Sequence, residues 1–188
     1  MKKLSLYIFL GLLVCNVGFA LTPCKGDDYK KWRNCSGTFT NEDGHVYTGS
    51  FDRKGNRFGK SKVMYNDGES YVGYYKNDLK HGNGTYTFAH GGSYTGQWKN
   101  NESHGWGTET GYTEDGEFII IGEFRNDRPY KVKIKYSDGD IFTGTVCLKD
   151  FPANQFTRVN YHKGVLKQSN GHTRKGTWDC ETREFTAK

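Results

Sequence analysis

Four cysteines stand beyond residue 20, at Cys24, Cys35, Cys147 and Cys180, with a fifth at Cys15. No two of them have the short spacing of about two to four residues that a zinc site uses, so their chemistry reads as disulfide formation, with three connectivities open. His81 and His104 lie 23 residues apart. Both sit beside glycine and read as turn residues, and no third ligand accompanies them, so neither a metal nor any other cofactor is expected. The acids Asp43, Asp67, Asp115 and Asp138 each precede a glycine, which is the chemistry of turns. No serine, cysteine or lysine nucleophile comes with a histidine and an acid in a recognisable local motif, so no catalytic residue is assigned. Gly105-Trp106-Gly107 has no helix after it to hold a phosphate. What remains is basic. In Lys131-Val132-Lys133-Ile134-Lys135 three lysines share one face of an extended segment and two aliphatic residues share the other. Lys60 and Lys62 repeat that alternation earlier, and the five together form a candidate contact for an anionic surface.

Such residues need elements to position them, and the composition says which kind. Mean hydropathy is −0.84 and 34% of residues are hydrophobic, while aromatics make up 15% and glycine contributes 25 residues. Disordered chains are poor in aromatics, and tyrosine, phenylalanine and threonine favour strands, so the chain is expected to be all-β with a core of rings. Residues 1–20 carry a basic start (Lys2, Lys3), an apolar run from Leu4 to Val14, and Gly18-Phe19-Ala20. That is the pattern of a cleaved secretory signal, too short for a membrane span. Cys15 follows Val14, a poor fit to a lipoprotein processing site. The expectation is an exported protein, periplasmic or extracellular, with an even set of four cysteines to oxidise. The net charge of +6, of which the leader holds two lysines, is too small to imply nucleic acid. In a eukaryotic source, Asn83-Gly84-Thr85 and Asn101-Glu102-Ser103 would be glycosylation acceptors.

The chain matches itself at a displacement of 23, Tyr71-Val72-Gly73-Tyr74-Tyr75-Lys76 against Tyr94-Thr95-Gly96-Gln97-Trp98-Lys99. The frame recurs at Tyr47, Ile120, Phe142 and Arg174, giving about six copies. A second strand-like signature precedes each copy, from Gly37-Thr38-Phe39-Thr40 through a degenerate Gly107-Thr108-Glu109-Thr110 to Gly164-Val165-Leu166-Lys167, with Asp-Gly, Asn-Gly or His-Gly between. Each unit is therefore a β-hairpin. Stacked, the units make a column of Tyr47, Tyr71, Tyr94, Ile120 and Phe142, a column of glycines, and a column of Phe51, Tyr75, Trp98, Phe124, Val146 and Trp178. These rings lying over bare glycine backbone are the expected repeat core. Cys24 with Cys35, and Cys147 with Cys180, then fall at the two ends of the ladder, and each pair is expected to staple its own end.

The frame resembles the MORN repeat (membrane occupation and recognition nexus), whose pattern is Tyr-any-Gly, a spaced Gly, then His-Gly-any-Gly. Tyr71-Val72-Gly73 with His81-Gly82-Asn83-Gly84, and Tyr94-Thr95-Gly96 with His104-Gly105-Trp106-Gly107, carry the likeness. The first unit has Phe58-Gly59-Lys60-Ser61 instead, and later units lack His-Gly. The resemblance implies an elongated single-sheet ribbon of about six hairpins. It also implies a binding or scaffold role, without chemistry of its own, toward anionic phospholipid headgroups, partner proteins or further copies of itself.

The expected organisation is a signal over 1–20, a disulfide-stapled cap over 21–36, a repeat ribbon over 37–147, and a long loop with a terminal hairpin over 148–188. Two stretches break the period, residues 108–117 and 148–161. Loops that interrupt a repeat commonly project and bind, which makes Asp150, Phe151, Gln155, Phe156 and Arg158 the candidate partner loop. The expected function is a non-enzymatic module that binds a protein partner or an anionic lipid or polymer at a cell envelope, with homo-oligomers through the sheet edges as a further mode. The alternatives are an enzyme acting on envelope glycans and a purely structural, self-associating protein.

Overall fold

The computed structural model describes residues 21–113, 116–146, 161–178 and 185–187. Thirteen strands run through them: β1 (Cys35–Thr40), β2 (Val46–Phe51), β3 (Arg57–Met64), β4 (Ser70–Lys76), β5 (Leu79–Thr87), β6 (Ser93–Lys99), β7 (Glu102–Thr113), β8 (Gly116–Arg125), β9 (Arg128–Tyr136), β10 (Ile141–Val146), β11 (Tyr161–Lys167), β12 (Thr173–Trp178) and β13 (Phe185–Ala187). They form one antiparallel sheet in chain order, open at both ends. At about 4.8 Å between strands the ribbon is about 58 Å long. No described helix is long and apolar enough to cross a membrane.

Two kinds of turn alternate along it. The first ends in a glycine with positive φ, as at Gly44, Gly68, Gly91, Gly139 and Gly171, where each glycine N–H donates to the carbonyl three residues back. The second kind has two successive left-handed residues, Asn77-Asp78, Asn100-Asn101 and Asn126-Asp127, with φ between 50° and 76°. This is the two-residue hairpin turn whose twist suits the sheet, and asparagine and aspartate tolerate its backbone best. The second acidic or amide side chain also reaches the previous hairpin. Asp78 accepts from Arg57 N–H at 2.8 Å, Asn101 from Lys80 N–H at 2.8 Å, and Asp127 from Ser103 N–H at 2.6 Å. One edge of the ribbon is stitched hairpin to hairpin in this way.

The expected turn role of His81 and His104 is corrected: both lie inside strands, β5 and β7, and His81 pairs with Tyr74. The glycines after them, Gly82 and Gly105, have φ of 66° and 71° and mark bulges just past the turns. The insertion at residues 108–117 does not project as a loop either. It lengthens one hairpin, so that Tyr112 pairs with Glu117 and Thr113 with Gly116.

The core occupies one face. Tyr47, Tyr71, Tyr94, Ile120 and Phe142 are buried in one column, and Phe51, Tyr75, Trp98, Phe124 and Val146 in another. Each tyrosine leans along its own strand over the intervening glycine to meet the second column, at ring separations of 5.4 Å (Tyr47–Phe51), 5.3 Å (Tyr71–Tyr75) and 5.2 Å (Tyr94–Trp98). The space it needs is that of missing Cβ atoms: one built on Gly84 would lie 2.4 Å from the Tyr71 hydroxyl. The hydroxyls then cap carbonyls at the bulges, Tyr47 to Ser50, Tyr71 to Tyr74 and Tyr94 to Gln97. Burial pushes the Tyr71, Tyr75 and Tyr94 phenols upward, so they stay neutral.

At the first end Trp32 lies edge-on to Phe51 and donates its indole N–H to Gly26 O, and Tyr29 stacks on Phe39 at 3.9 Å. Residues 21–24 run along β1, with Ser36 N–H donating to Thr22 O and Cys24 N–H to Ser36 O. Cys24 and Cys35 form a disulfide across a separation of 11 residues. Replacing both by serine is expected to cost about 2 kcal/mol, read as a lowered urea midpoint at constant slope. An unchanged midpoint would remove the staple from the account of stability. Cys147 and Cys180 lie outside the described residues.

Candidate functional site

Two faces of the sheet present different chemistry, and the register shows what each brings together. On the outer face of β9, Lys131, Lys133 and Lys135 are exposed and alternate with buried Val132 and Ile134. Their cross-strand rows continue outward. Lys131 lies beside Thr145 and then Lys163, Lys133 beside Thr143, Val165 and Lys175, and Lys135 beside Ile141 and Lys167. Six lysines therefore share this face: those of β9 stand about 7 Å apart along the strand, Lys163 and Lys167 lie two strands, about 10 Å, from Lys131 and Lys135, and Lys175 lies three strands, about 14 Å, from Lys133. Among the described residues of these rows the one acid is Glu123, opposite Lys131, and Arg125 already bonds it at 2.7 Å. Lys60 and Lys62 are exposed on β3. Lys62 is in the row of Lys133, but six strand steps separate them, about 29 Å, so the five lysines are not one patch. Between them the outer face carries exposed Val72, Tyr74, Trp106 and Ile121 and threonine pairs such as Thr85–Thr95, bonded at 3.0 Å.

The inner face holds cations against rings. Arg57, first residue of β3, sits over Tyr47 at 5.7 Å and Tyr75 at 5.0 Å, and its Nε bonds Asp78 at 3.0 Å. Lys80 on β5 takes the corresponding place one repeat on. Its Nζ is 5.6 Å from Tyr71, 4.4 Å from Trp98 and 4.5 Å from Tyr86. Desolvation pulls the Lys80 ammonium down, an effect that the charges of Asp127 and Glu69 oppose. Tyr86 in turn donates to Glu69. Further along, Glu109 stands opposite Tyr94 in the row that carries rings and aliphatic residues from Phe39 to Leu166. Burial first, and then the Asp127 charge, push its carboxyl up to about 7.

The sequence alone locates the lysines of β9 but not Lys163, Lys167 and Lys175 beside them, whose neighbourhood needs the β10–β11 register. Arg57, Lys80 and Asp127 also escape it, although their spacing beside the Gly59, Gly82 and Asn-Asp signals is an available clue. The signal for Glu109 is the acid that breaks the second strand signature of its repeat. The candidate partner residues Asp150, Phe151, Gln155, Phe156 and Arg158 lie outside the described residues. So does the side chain of Trp178, whose backbone ends β12. Among the described residues no group of three or more His, Cys, Asp or Glu side chains is placed to hold a metal ion. Near His81 an open cleft of about 430 Å³ lies between Asp52, Phe58, Tyr74 and Asn77.

Residues 71–93 and 94–115 each match the family model of the MORN repeat. These two units comprise the hairpins that hold Lys80 and Glu109. No curated protein matches the chain.

Proposed function

We propose that this chain, which carries two MORN repeats, is a non-enzymatic binding module of an exported, oxidising compartment, and that its outer face over β9–β12 docks on an anionic surface at the cell envelope. MORN repeats are generally associated with binding and scaffolding, and the family is typically without catalysis. The observation that carries the reading is the six-lysine group, in which isoleucine, valine and threonine lie between the ammonium groups. A β-face of that make-up presents several positive charges, with one acid among the described residues of their rows. Each ammonium held close to an anionic bilayer contributes about 1 kcal/mol, and the sum is screened by salt. The Cys24–Cys35 disulfide supports an oxidising location.

Co-sedimentation with neutral and anionic vesicles tests this. Binding to anionic vesicles alone is expected, lost in high salt, and weakened at least about tenfold by changing Lys131, Lys133 and Lys135 together to Gln. Absence of binding at low salt would retire the surface and turn attention to a protein partner.

A further inference from the structure

The repeat leaves a hollow at one place on the outer face and fills it at the next. Gly59 and Gly82, with φ of 68° and 66°, lie on the two strands that flank the end of β4. A Cβ built on Gly59 would meet nothing within 4 Å, and one on Gly82 only the base of Tyr74, at 3.5 Å. Bare bulge backbone therefore floors the open cleft of about 430 Å³ near His81. Phe58 and His81, the residues before the two glycines, line it from β3 and β5, and Tyr74, 49% exposed, lines it from β4 between them. One repeat on, Gln97 stands where Tyr74 does and Gly105 where Gly82 does. There a Cβ on the glycine would collide with Gln97 Oε1, which accepts from Trp106 N–H at 2.9 Å, so the glutamine side chain closes the corresponding space.

The walls of the hollow narrow its ligand by chemistry. Its sides are rings, and polar groups gather at its rim: Lys76 and Asn77 come from the end of β4 and its turn, Asp52 from the turn after β2, and Lys60 stands opposite Tyr74. Asp52 is held in place by Lys54 N–H at 2.8 Å and Asn56 N–H at 2.9 Å. The His81 imidazole, the Tyr74 phenol and the Lys76 ammonium make no hydrogen bond with any described residue. A simple cation would meet Lys60 and Lys76, and a simple anion would meet Asp52. A wholly apolar ligand would cover the imidazole and the phenol without bonding them, at a desolvation cost. A ligand with apolar faces and a hydroxyl-bearing edge suits both parts, and the volume lies in the range of small-molecule sites.

We propose that the cleft between β3, β4 and β5 binds one sugar ring of a glycan chain, its C–H face against Tyr74 and Phe58 and its hydroxyls toward His81, Asn77 and Asp52. The flat apolar surface of a ring is what the side chains offer, and the polar rim sets orientation. The open mouth leaves room for the chain to continue on either side of the bound unit. The site stands apart from the lysines of β9, which lie five strands, about 24 Å, away.

Calorimetric titration of the oxidised protein with maltotetraose, chitotetraose and trigalacturonate, each in turn, tests the site and the class of sugar. Saturable binding is expected for at least one probe: maltotetraose would mark a plain glucan, chitotetraose an N-acetylated glycan and trigalacturonate an acidic one. Tyr74→Gln, which copies the residue that closes the hollow one repeat on, is expected to abolish binding and to leave the melting temperature unchanged. His81→Ala is expected to weaken it at least about tenfold. Changing Lys131, Lys133 and Lys135 to Gln should leave it untouched, which separates the cleft from the anionic-surface reading. Failure of all three probes to saturate by about 10 mM, or parental affinity in either the Tyr74→Gln or the His81→Ala variant, would overturn the proposal.

Discussion

Tyr71→Ala is expected to destabilise the fold by about 4 kcal/mol, more than loss of the disulfide or of any single hydrogen bond in the sheet. The ring is fully buried, touches Tyr75 on its own strand and Trp98 two strands away, and fills the volume above Gly73 and Gly84. Glycine neighbours have no side chains with which to close the hole, so the cavity stays open. Removing the hydroxyl donor also leaves the Tyr74 carbonyl without its cap. Tyr71→Phe separates the two contributions: it keeps the ring and loses the bond, for about 1 kcal/mol. Urea unfolding of both variants measures this. If the alanine variant falls within about 1 kcal/mol of the parent, the size of a single hydrogen bond, the ring columns do not hold the sheet together.

Glu109→Gln is expected to act in the opposite direction, and only above acidic pH. The folded carboxyl is raised from 4.5 to about 7 by burial and by Asp127. Below about pH 4.5 folded and unfolded chains both hold the proton, and no penalty exists. Between there and about pH 7 the unfolded chain gives up its proton first, so stability falls as pH rises, by about 3 kcal/mol once both states are ionised. The groups that face Glu109 are Tyr94 from β6, whose phenol stays neutral, and Asp127 from the turn after β8, with Lys80 on β5 linked through the charge of Asp127. A glutamine variant more stable than the parent by about 3 kcal/mol at about pH 8 and equal to it at about pH 4 is the expected result. Equal stability at both would mean that the carboxyl is better solvated than its place in the sheet implies.

Much of this architecture is legible in the residues. The spacing of Tyr71-Val72-Gly73 and Tyr94-Thr95-Gly96 gives the columns, because strand side chains alternate and the turns carry glycine. What is not legible is where a side chain travels after it leaves its strand. The reach of Tyr71 over Gly84, and of Lys80 across three rings, is set by the bulges at Gly73/Tyr74 and Gly96/Trp98, whose glycines, Gly82 and Gly105, read in the sequence as turn residues. His81 and His104 mislead for a related reason. A His-Gly pair reads as a turn, whereas the turn itself is the Asn-Asp or Asn-Asn pair three to five residues earlier. Lys80 and Arg57, next to those turns, read as solvated charges until the ring pairs are seen beneath them. Trp32 closes the first end of the core from outside the repeat, so periodicity carries no trace of it.

The strictly sequential order of the sheet governs how the chain reaches its native state. Every pairing from β1 to β13 joins chain neighbours, so no strand waits for a distant segment, and the entropy of closing each loop stays small. Assembly can zip from the capped end, each hairpin docking on the one before it as soon as its residues are available. The same arithmetic makes the molecule modular: a whole hairpin can be added to or removed from its length without rewiring any other contact, while half a hairpin cannot.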